Sequence, residues 1–219
     1  MGWIAILAAL ALNLSALQEG EKRFLENNPR AALPLLEQAL YENPGNERLY
    51  LYLGVVYEQL NNPEKSIQVL RRGLNVASGL KDTMYFNLGN NLFRQKEYTL
   101  AEQMYSNALE ANRLLADAYL NRANARLQLA SYAAAREDYI EYLRLAPDNP
   151  QREPIERLIA LLAGLLEEQE RRKQEELARQ KALLNEVLNS LKNASEDARN
   201  LSAGSEAIQE QYDEIDIQD

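Results

Sequence analysis

The chain has 219 residues, and its 24 basic and 33 acidic side chains leave a formal net charge of 24 − 33 = −9. A net negative charge disfavours nucleic-acid binding, because attraction to the phosphates dominates the affinity of proteins for nucleic acids. It contains no cysteine and no histidine, so disulfide frameworks, zinc fingers and catalytic sites built on a thiol or an imidazole are excluded. The hydrophobic content of 46% is typical of a globular chain, and the abundance of Leu and Ala favours helices over strands.

The N-terminal segment, residues 1–18, carries no charge, and Trp3–Leu12 is continuously apolar. This length suits the core of an export signal and is short for a membrane span, but no Lys or Arg precedes it. Three interpretations remain open: an export signal, a membrane anchor with residues 3–17 in the bilayer, or an apolar packing helix. The first two predict a periplasmic or membrane-anchored protein, and the third predicts a cytoplasmic one.

Residues 13–149 contain an internal repeat of about 34 residues. Columns of residues of matching size recur at intervals of 34, 35 and 34: Gly20, Gly54, Gly89 and Ala123; Ala32, Ser66, Ala101 and Ala135; Leu36, Leu70, Tyr105 and Tyr139; Leu40, Leu74, Leu109 and Leu143. Apolar residues at helical spacing predict one helix near Thr83–Gln95 and a second near Thr99–Glu110. We therefore expect four units of two helices, at about 13–46, 47–81, 82–115 and 116–149.

Two joints between helices share one turn sequence, Asn-Asn-Pro, at residues 27–29 and 61–63. Asn is a preferred helix N-cap and Pro suits the first helical turn, so a helix is expected to begin after each. Pro34 falls inside the second helix of the first unit, where the missing N–H should bend the helix unless it lies in the first turn.

The motifs Y-x-x-L-G at 85–89, Y-x-x-A at 98–101 and Y-x-x-A-L at 105–109 resemble the tetratricopeptide repeat. The resemblance covers about residues 13–149. It implies an all-α fold, a right-handed α-solenoid of stacked helix pairs whose first helices line a concave groove for a peptide or partner protein. Arg126 departs from the family pattern, because that position is usually bulky and apolar.

By the resemblance, the groove positions are Arg48, Leu51, Val55, Gln59, Thr83, Phe86, Asn87, Asn90, Arg94, Asp117, Leu120, Asn121, Asn124 and Gln128. The asparagines recur at an interval of 34 residues. Their amides can pair with an extended peptide backbone, or they can satisfy local backbone groups or water. Leu51, Phe86 and Leu120 stand where co-chaperone members of the family carry the lysines of a carboxylate clamp, so a carboxylate ligand is not expected.

Residues 150–200 are predicted to form a capping and extended C-terminal helix. Ile155–Leu166 should cover the fourth unit, and the charged stretch 167–176 follows. An apolar stripe then resumes at Leu177, Leu184, Val187, Leu188 and Leu191. It belongs either to one long solvated helix or to a second interface, a short coiled coil for self-association or partner docking. Residues 201–219 form an acidic tail that we expect to be disordered.

These patterns favour a non-enzymatic protein–protein interaction scaffold, resembling bacterial cell-envelope repeat proteins. The alternative is a membrane-anchored assembly or co-chaperone factor without a carboxylate clamp. An enzyme would need a catalytic set of Asp, Glu, Lys, Tyr or Ser, and these residues do not occur at the spacing of a catalytic motif. No catalytic residue, metal ligand or cofactor is therefore assigned, and the expected partner is a protein or a peptide.

Overall fold

The computed structural model describes residues 16–215, with the side chains of residues 16–199. The described chain is all-α and divides into two compact units, one ending at Ala163 and the other beginning at Gly164. Most of the apolar N-terminal segment, residues 1–15, and the last residues, 216–219, lie outside the described residues. Between residues 16 and 215, no helix combines the length and the apolarity that a membrane span requires.

The compact unit that ends at Ala163 is a solenoid of helix pairs, as the repeat predicts. The described helices are α1 (16–25), α2 (Pro29–Glu42), α3 (Glu47–Gln59), α4 (Pro63–Leu74), α5 (Lys81–Arg94), α6 (Tyr98–Ala111), α7 (Ala116–Gln128), α8 (Tyr132–Leu145) and α9 (Arg152–Ile215). From α2 to α8, each helix contacts the next, while α5 also contacts α3 and α7. The first helices of successive units therefore form one continuous layer, and the predictions of an all-α solenoid and a long C-terminal helix are confirmed.

The recurring small residues lie where the two helices of a unit approach each other. A Cβ added to Gly54 would lie 2.5 Å from Leu70 Cδ2, and one added to Gly89 would lie 2.5 Å from Tyr105 Cε1. In the fourth unit, Ala123 is fully buried in the same cluster as Tyr139. The small residues that recur with the repeat therefore mark the positions where the two helices of a pair are in close contact.

Helix starts follow the predicted capping. The side chain of Asn28 accepts from the Ala31 N–H at 3.2 Å, and that of Asn62 accepts from the Lys65 N–H at 3.2 Å. Each pair satisfies one backbone donor of the first turn of α2 or α4. Pro34 lies inside α2, beyond its first turn, and the helix continues past it to Glu42.

The first helix of every unit ends in the same left-handed turn. Asn27, Asn61, Lys96 and Ala130 have φ values of 53°, 56°, 63° and 55°. At the end of α3, the Asn61 N–H donates to Glu58 O at 2.9 Å and the Asn62 N–H donates to Tyr57 O at 2.8 Å. This is the Schellman pattern, and the other three helices repeat it at equivalent positions.

The N-terminal part of α9 covers the fourth unit, where Ile155 and Leu162 are buried in a cluster with Tyr139, Tyr142 and Leu143. Disorder is the sequence-based expectation for the acidic tail 201–219, whereas the structure describes residues 201–215 as a continuation of α9, which ends at Ile215. No proline follows Pro154, and residues 201–215 include several Ala, Glu and Gln residues, which favour helix.

Candidate functional site

The predicted groove residues lie on α3, α5 and α7, the contiguous layer of first helices. Five are exposed, namely Arg48, Gln59, Arg94, Asp117 and Gln128. Nine are half-buried, namely Leu51, Val55, Thr83, Phe86, Asn87, Asn90, Leu120, Asn121 and Asn124. None of the fourteen is fully buried.

Four of these predicted residues come together in one cavity of about 180 Å³, lined by Glu58, Asn90, Phe93, Arg94, Tyr105, Asn121 and Asn124. The other lining residues, Glu58, Phe93 and Tyr105, are not among the predicted groove positions. Glu58 was missed, although it directly precedes the predicted groove residue Gln59. The cavity therefore has a polar wall of amides and a charged rim, with one aromatic ring.

Buried tyrosines hold the asparagine side chains of this wall. The Tyr105 hydroxyl donates to Asn90 Oδ1 at 3.0 Å, and the Tyr139 hydroxyl donates to Asn124 Oδ1 at 2.6 Å. Burial raises the pKa of Tyr105 well above its usual range and that of Tyr139 to about 12. Both hydroxyls therefore remain protonated donors at neutral pH, and the two contacts are equivalent in successive units.

A third amide links the units. Asn121 Nδ2 on α7 donates to Asn90 Oδ1 on α5 at 2.9 Å, so the Asn90 oxygen accepts two hydrogen bonds. Among residues 16–199, the side-chain nitrogens of Asn90 and Asn124 and the side-chain oxygen of Asn121 have no hydrogen-bond partner. The wall therefore offers oriented donors and an acceptor to a ligand.

Asn87 behaves differently from these three asparagines. Its Nδ2 donates to Thr83 O at 2.8 Å, one turn earlier in the same helix. The local satisfaction that the sequence left open thus describes Asn87, whereas Asn90, Asn121 and Asn124 bond across helices. Sequence spacing alone does not distinguish the two cases, because both sets recur at the same interval.

The cation of the cavity is already paired. Arg94 Nη1 lies 2.9 Å from Glu58 Oε1, a carboxylate on the neighbouring first helix α3. The Arg94 side chain is largely exposed and that of Glu58 is mostly covered. An incoming carboxylate would therefore compete with Glu58 for Arg94.

A larger cavity, of about 430 Å³, lies against α2, α3 and α4 and contains none of the predicted groove residues. Leu40, Leu53 and Val69 line it together with Tyr57 and Lys65. The Tyr57 hydroxyl donates to the Glu37 carboxylate, and the Lys65 ammonium lies 5.4 Å from the centre of the Tyr57 ring. These groups therefore satisfy one another within the protein.

In the part of α9 after Gly164, the predicted interface residues are all exposed: Leu177, Leu184, Val187, Leu188 and Leu191. Leu183, which the sequence analysis did not single out, is exposed with them. The charged stretch before them is bonded within the helix, where Arg171 pairs with Glu168 and Glu175, and Arg172 also pairs with Glu168.

The stacked helix pairs and their accessible groove define a helical-repeat interaction scaffold. Two models of the tetratricopeptide repeat match the chain, at residues 23–82 and at residues 86–150. The chain therefore belongs to the tetratricopeptide repeat family, whose repeats are typically non-enzymatic modules of protein–protein interaction.

Comparisons with individual proteins agree with this assignment. RNA polymerase II-associated protein 3 of Rattus norvegicus is 29% identical over 96 residues, a match that spans 44% of this chain but only 14% of that protein. A crystal structure of MamA protein aligns with a TM-score of 0.62 at 21% identity, covering 71% of this chain and 85% of that one. The first TPR domain of human RPAP3 aligns with a TM-score of 0.51 at 24% identity, covering 57% and 98%. These structural likenesses concern the fold.

Proposed function

We propose that this protein is a scaffold that holds an extended peptide segment of a partner protein in the groove formed by α3, α5 and α7. The amide wall carries the proposal: the Asn90 and Asn124 nitrogens and the Asn121 oxygen are oriented by hydrogen bonds and lack partners among the described side chains. Carbonyl oxygens and an N–H of an extended backbone match this set of two donors and one acceptor.

The surroundings of the amides favour a peptide with apolar rather than carboxylate anchors. Leu51, Phe86 and Leu120, on the first helices α3, α5 and α7, pack against the core but keep part of their apolar surface accessible, and the ring of Phe93 lines the cavity. Arg94, the cation of the cavity, is paired with Glu58. Burial of an apolar side chain contributes about 1.5–3 kcal/mol, and backbone hydrogen bonds set its position.

Peptides selected from a random phage-displayed library on the immobilised full chain provide the probe. Calorimetry then compares the best peptide on the wild type, Asn90→Ala and Asn124→Ala. Each variant should lose about 5- to 100-fold in affinity, because a backbone carbonyl in the complex loses its donor. Asn189→Ala, which changes an exposed asparagine of α9 far from the groove in sequence, is the matched control and should bind as the wild type does.

Thermal melting distinguishes binding defects from folding defects, since Asn90→Ala also removes the acceptor of Tyr105. The proposal is contradicted if both folded groove variants bind the selected peptide as tightly as the wild type. Selection of peptides that end in an obligatory free carboxylate would likewise overturn the apolar-anchor part.

We place this scaffold in a bacterial envelope complex, as an exported protein on the periplasmic side. The support is the uncharged residues 1–18 with their apolar run 3–12. The alternative is a membrane-anchored assembly or co-chaperone factor without a carboxylate clamp. N-terminal sequencing of the protein from its native source separates them: a cleaved start indicates export, and a detergent-dependent form beginning at Met1 indicates an anchor.

A further inference from the structure

The part of α9 after Gly164 carries a heptad pattern that extends beyond the five apolar residues predicted from sequence. We call its a and d positions the seam. With Leu177 at heptad position a, position a recurs at Leu184, Leu191 and Ala198, and position d falls on Gln180, Val187 and Ala194. All of these residues lie on the uninterrupted helix α9. The seam thus covers three heptads, about 33 Å of helix at 1.5 Å per residue.

Large apolar side chains along this seam are exposed. Leu177, Leu184, Val187 and Leu191 retain between 43% and 62% of their surface in contact with solvent, as do the flanking Leu183 and Leu188. Six such side chains on one helical segment form an unpartnered apolar stripe, which commonly marks an interaction surface.

The seam has a defined beginning. One heptad earlier, positions a and d are Glu170 and Lys173, which cannot form an apolar layer. Around them, Arg171 donates to Glu168 and to Glu175 within the same helix, and Arg172 also donates to Glu168. The hydrogen bonds from the two arginines lower the pKa of Glu168. The stretch 167–176 is therefore suited to remain a solvated single helix, and pairing is confined to the chain from about Leu177 onward.

We infer that α9 pairs through this seam with a second copy of the same chain, parallel and in register. In that arrangement, position g faces position e of the next heptad on the partner. The three facing pairs are Glu176 with Lys181, Leu183 with Leu188, and Ser190 with Ser195. Opposite charges, two apolar groups and two hydroxyls meet, so the flanks match as well as the core.

The polar residue at position d decides between the two orientations. In the parallel pair, Gln180 meets its own copy, and two amides can hydrogen-bond to each other. In the antiparallel pair, position a faces position d. Gln180 Nε2 donates to Glu176 Oε1 at 3.1 Å within α9, but the Gln180 side-chain oxygen would then be buried against Leu191 without a hydrogen-bond donor. Glu176 would then lie near Ser190 instead of Lys181. Burial of an unpaired amide oxygen is costly, which favours the parallel pair.

Analytical ultracentrifugation of the full chain tests the pairing. The wild type should show a concentration-dependent monomer–dimer equilibrium, and Leu184→Glu, with a carboxylate in the central layer, should raise the dimer dissociation constant more than about tenfold. Ala182→Glu, on the opposite face at position f, is the matched control and should dimerise as the wild type does. A wild type that is monomeric up to about 0.1 mM, or an unaffected Leu184→Glu dimer, overturns the inference.

The orientation is tested by oxidation, since the natural chain has no cysteine. Ala194→Cys, at position d, should form a disulfide between the two copies, because equivalent residues face each other only in the parallel pair. Ala182→Cys, at position f, should not. Failure of a dimeric Ala194→Cys to cross-link, or equal cross-linking of both variants, overturns the parallel register. The seam lies outside the groove, so peptide binding and dimerisation can fail independently.

Discussion

Arg122 on α7 and Asp138 on α8 form a two-point ion pair, with Nη2 2.7 Å from Oδ1 and Nε 2.9 Å from Oδ2. Arg126 adds a third contact, from Nη1 to Asp138 Oδ2 at 2.8 Å, and reaches Glu102 on α6 at 2.7 Å. Burial alone would lower the pKa of Arg122, but the bonded and nearby Asp138 outweighs this effect and raises it. The network explains Arg126, the residue that departs from the family pattern: a charged cluster replaces an apolar contact.

Asp138→Ala is expected to destabilise the protein strongly, because it leaves two mostly covered guanidinium groups without their common acceptor. Removal of one partner from a buried ion pair costs about 3–5 kcal/mol. Denaturant unfolding followed by circular dichroism measures the change. Glu141→Ala breaks the exposed Glu141–Arg144 pair on the same helix and should cost less than about 1 kcal/mol. Equal losses in both variants would refute a special role for the buried network.

Gly89→Ala is expected to destabilise the third unit by about 1–3 kcal/mol, even though Ala favours helix over Gly. The added Cβ would lie 2.5 Å from the Tyr105 ring, and the hydroxyl of that ring is held by Asn90. Gly164→Ala is the matched control, since no atom lies within 4 Å of its added Cβ. It should stabilise the protein by about 0.5–1 kcal/mol. Differential scanning calorimetry of both variants checks the opposite signs.

Ala130→Gly is expected to stabilise the protein by about 1 kcal/mol, because Ala130 occupies a left-handed conformation, with φ of 55°, that glycine adopts without strain. Lys96→Gly should act in the same direction at φ of 63°. At Asn61, which tolerates this conformation better, substitution by Gly should change stability by only a few tenths of a kcal/mol. Urea midpoints of the three variants give the comparison, and a loss of stability in Ala130→Gly would contradict the assignment.

The recurring left-handed residues show where sequence comparison within the chain was insufficient. Asn27, Asn61, Lys96 and Ala130 are spaced by 34, 35 and 34 residues, the interval of the repeat, but they share neither size nor polarity. Their common property is a backbone angle, which any of these residues can adopt when the Schellman hydrogen bonds are satisfied. A column defined by conformation is therefore invisible to a search for similar side chains.

The candidate site was predictable in part. The resemblance to the repeat family placed Asn90, Asn121 and Asn124 on the groove-lining first helices, and the structure brings them into one cavity. Glu58 was missed, because its role comes from the approach of Arg94 on the next first helix rather than from any local motif. Tyr105 entered the sequence analysis only as one of the recurring large residues, and in the structure its hydroxyl bonds to Asn90 in the amide wall.

The sequence alone determined the repeat, the helix pairs and the asparagine caps, because periodic apolar faces, small residues at close contacts and capping side chains are properties of local chain segments. The tertiary structure decided which asparagines bond across helices, that Glu58 neutralises Arg94, and that Asp138 collects two arginines. The physical reason is sequence separation. The interacting residues are 12 to 36 positions apart in the chain, so they meet only when their helices pack side by side.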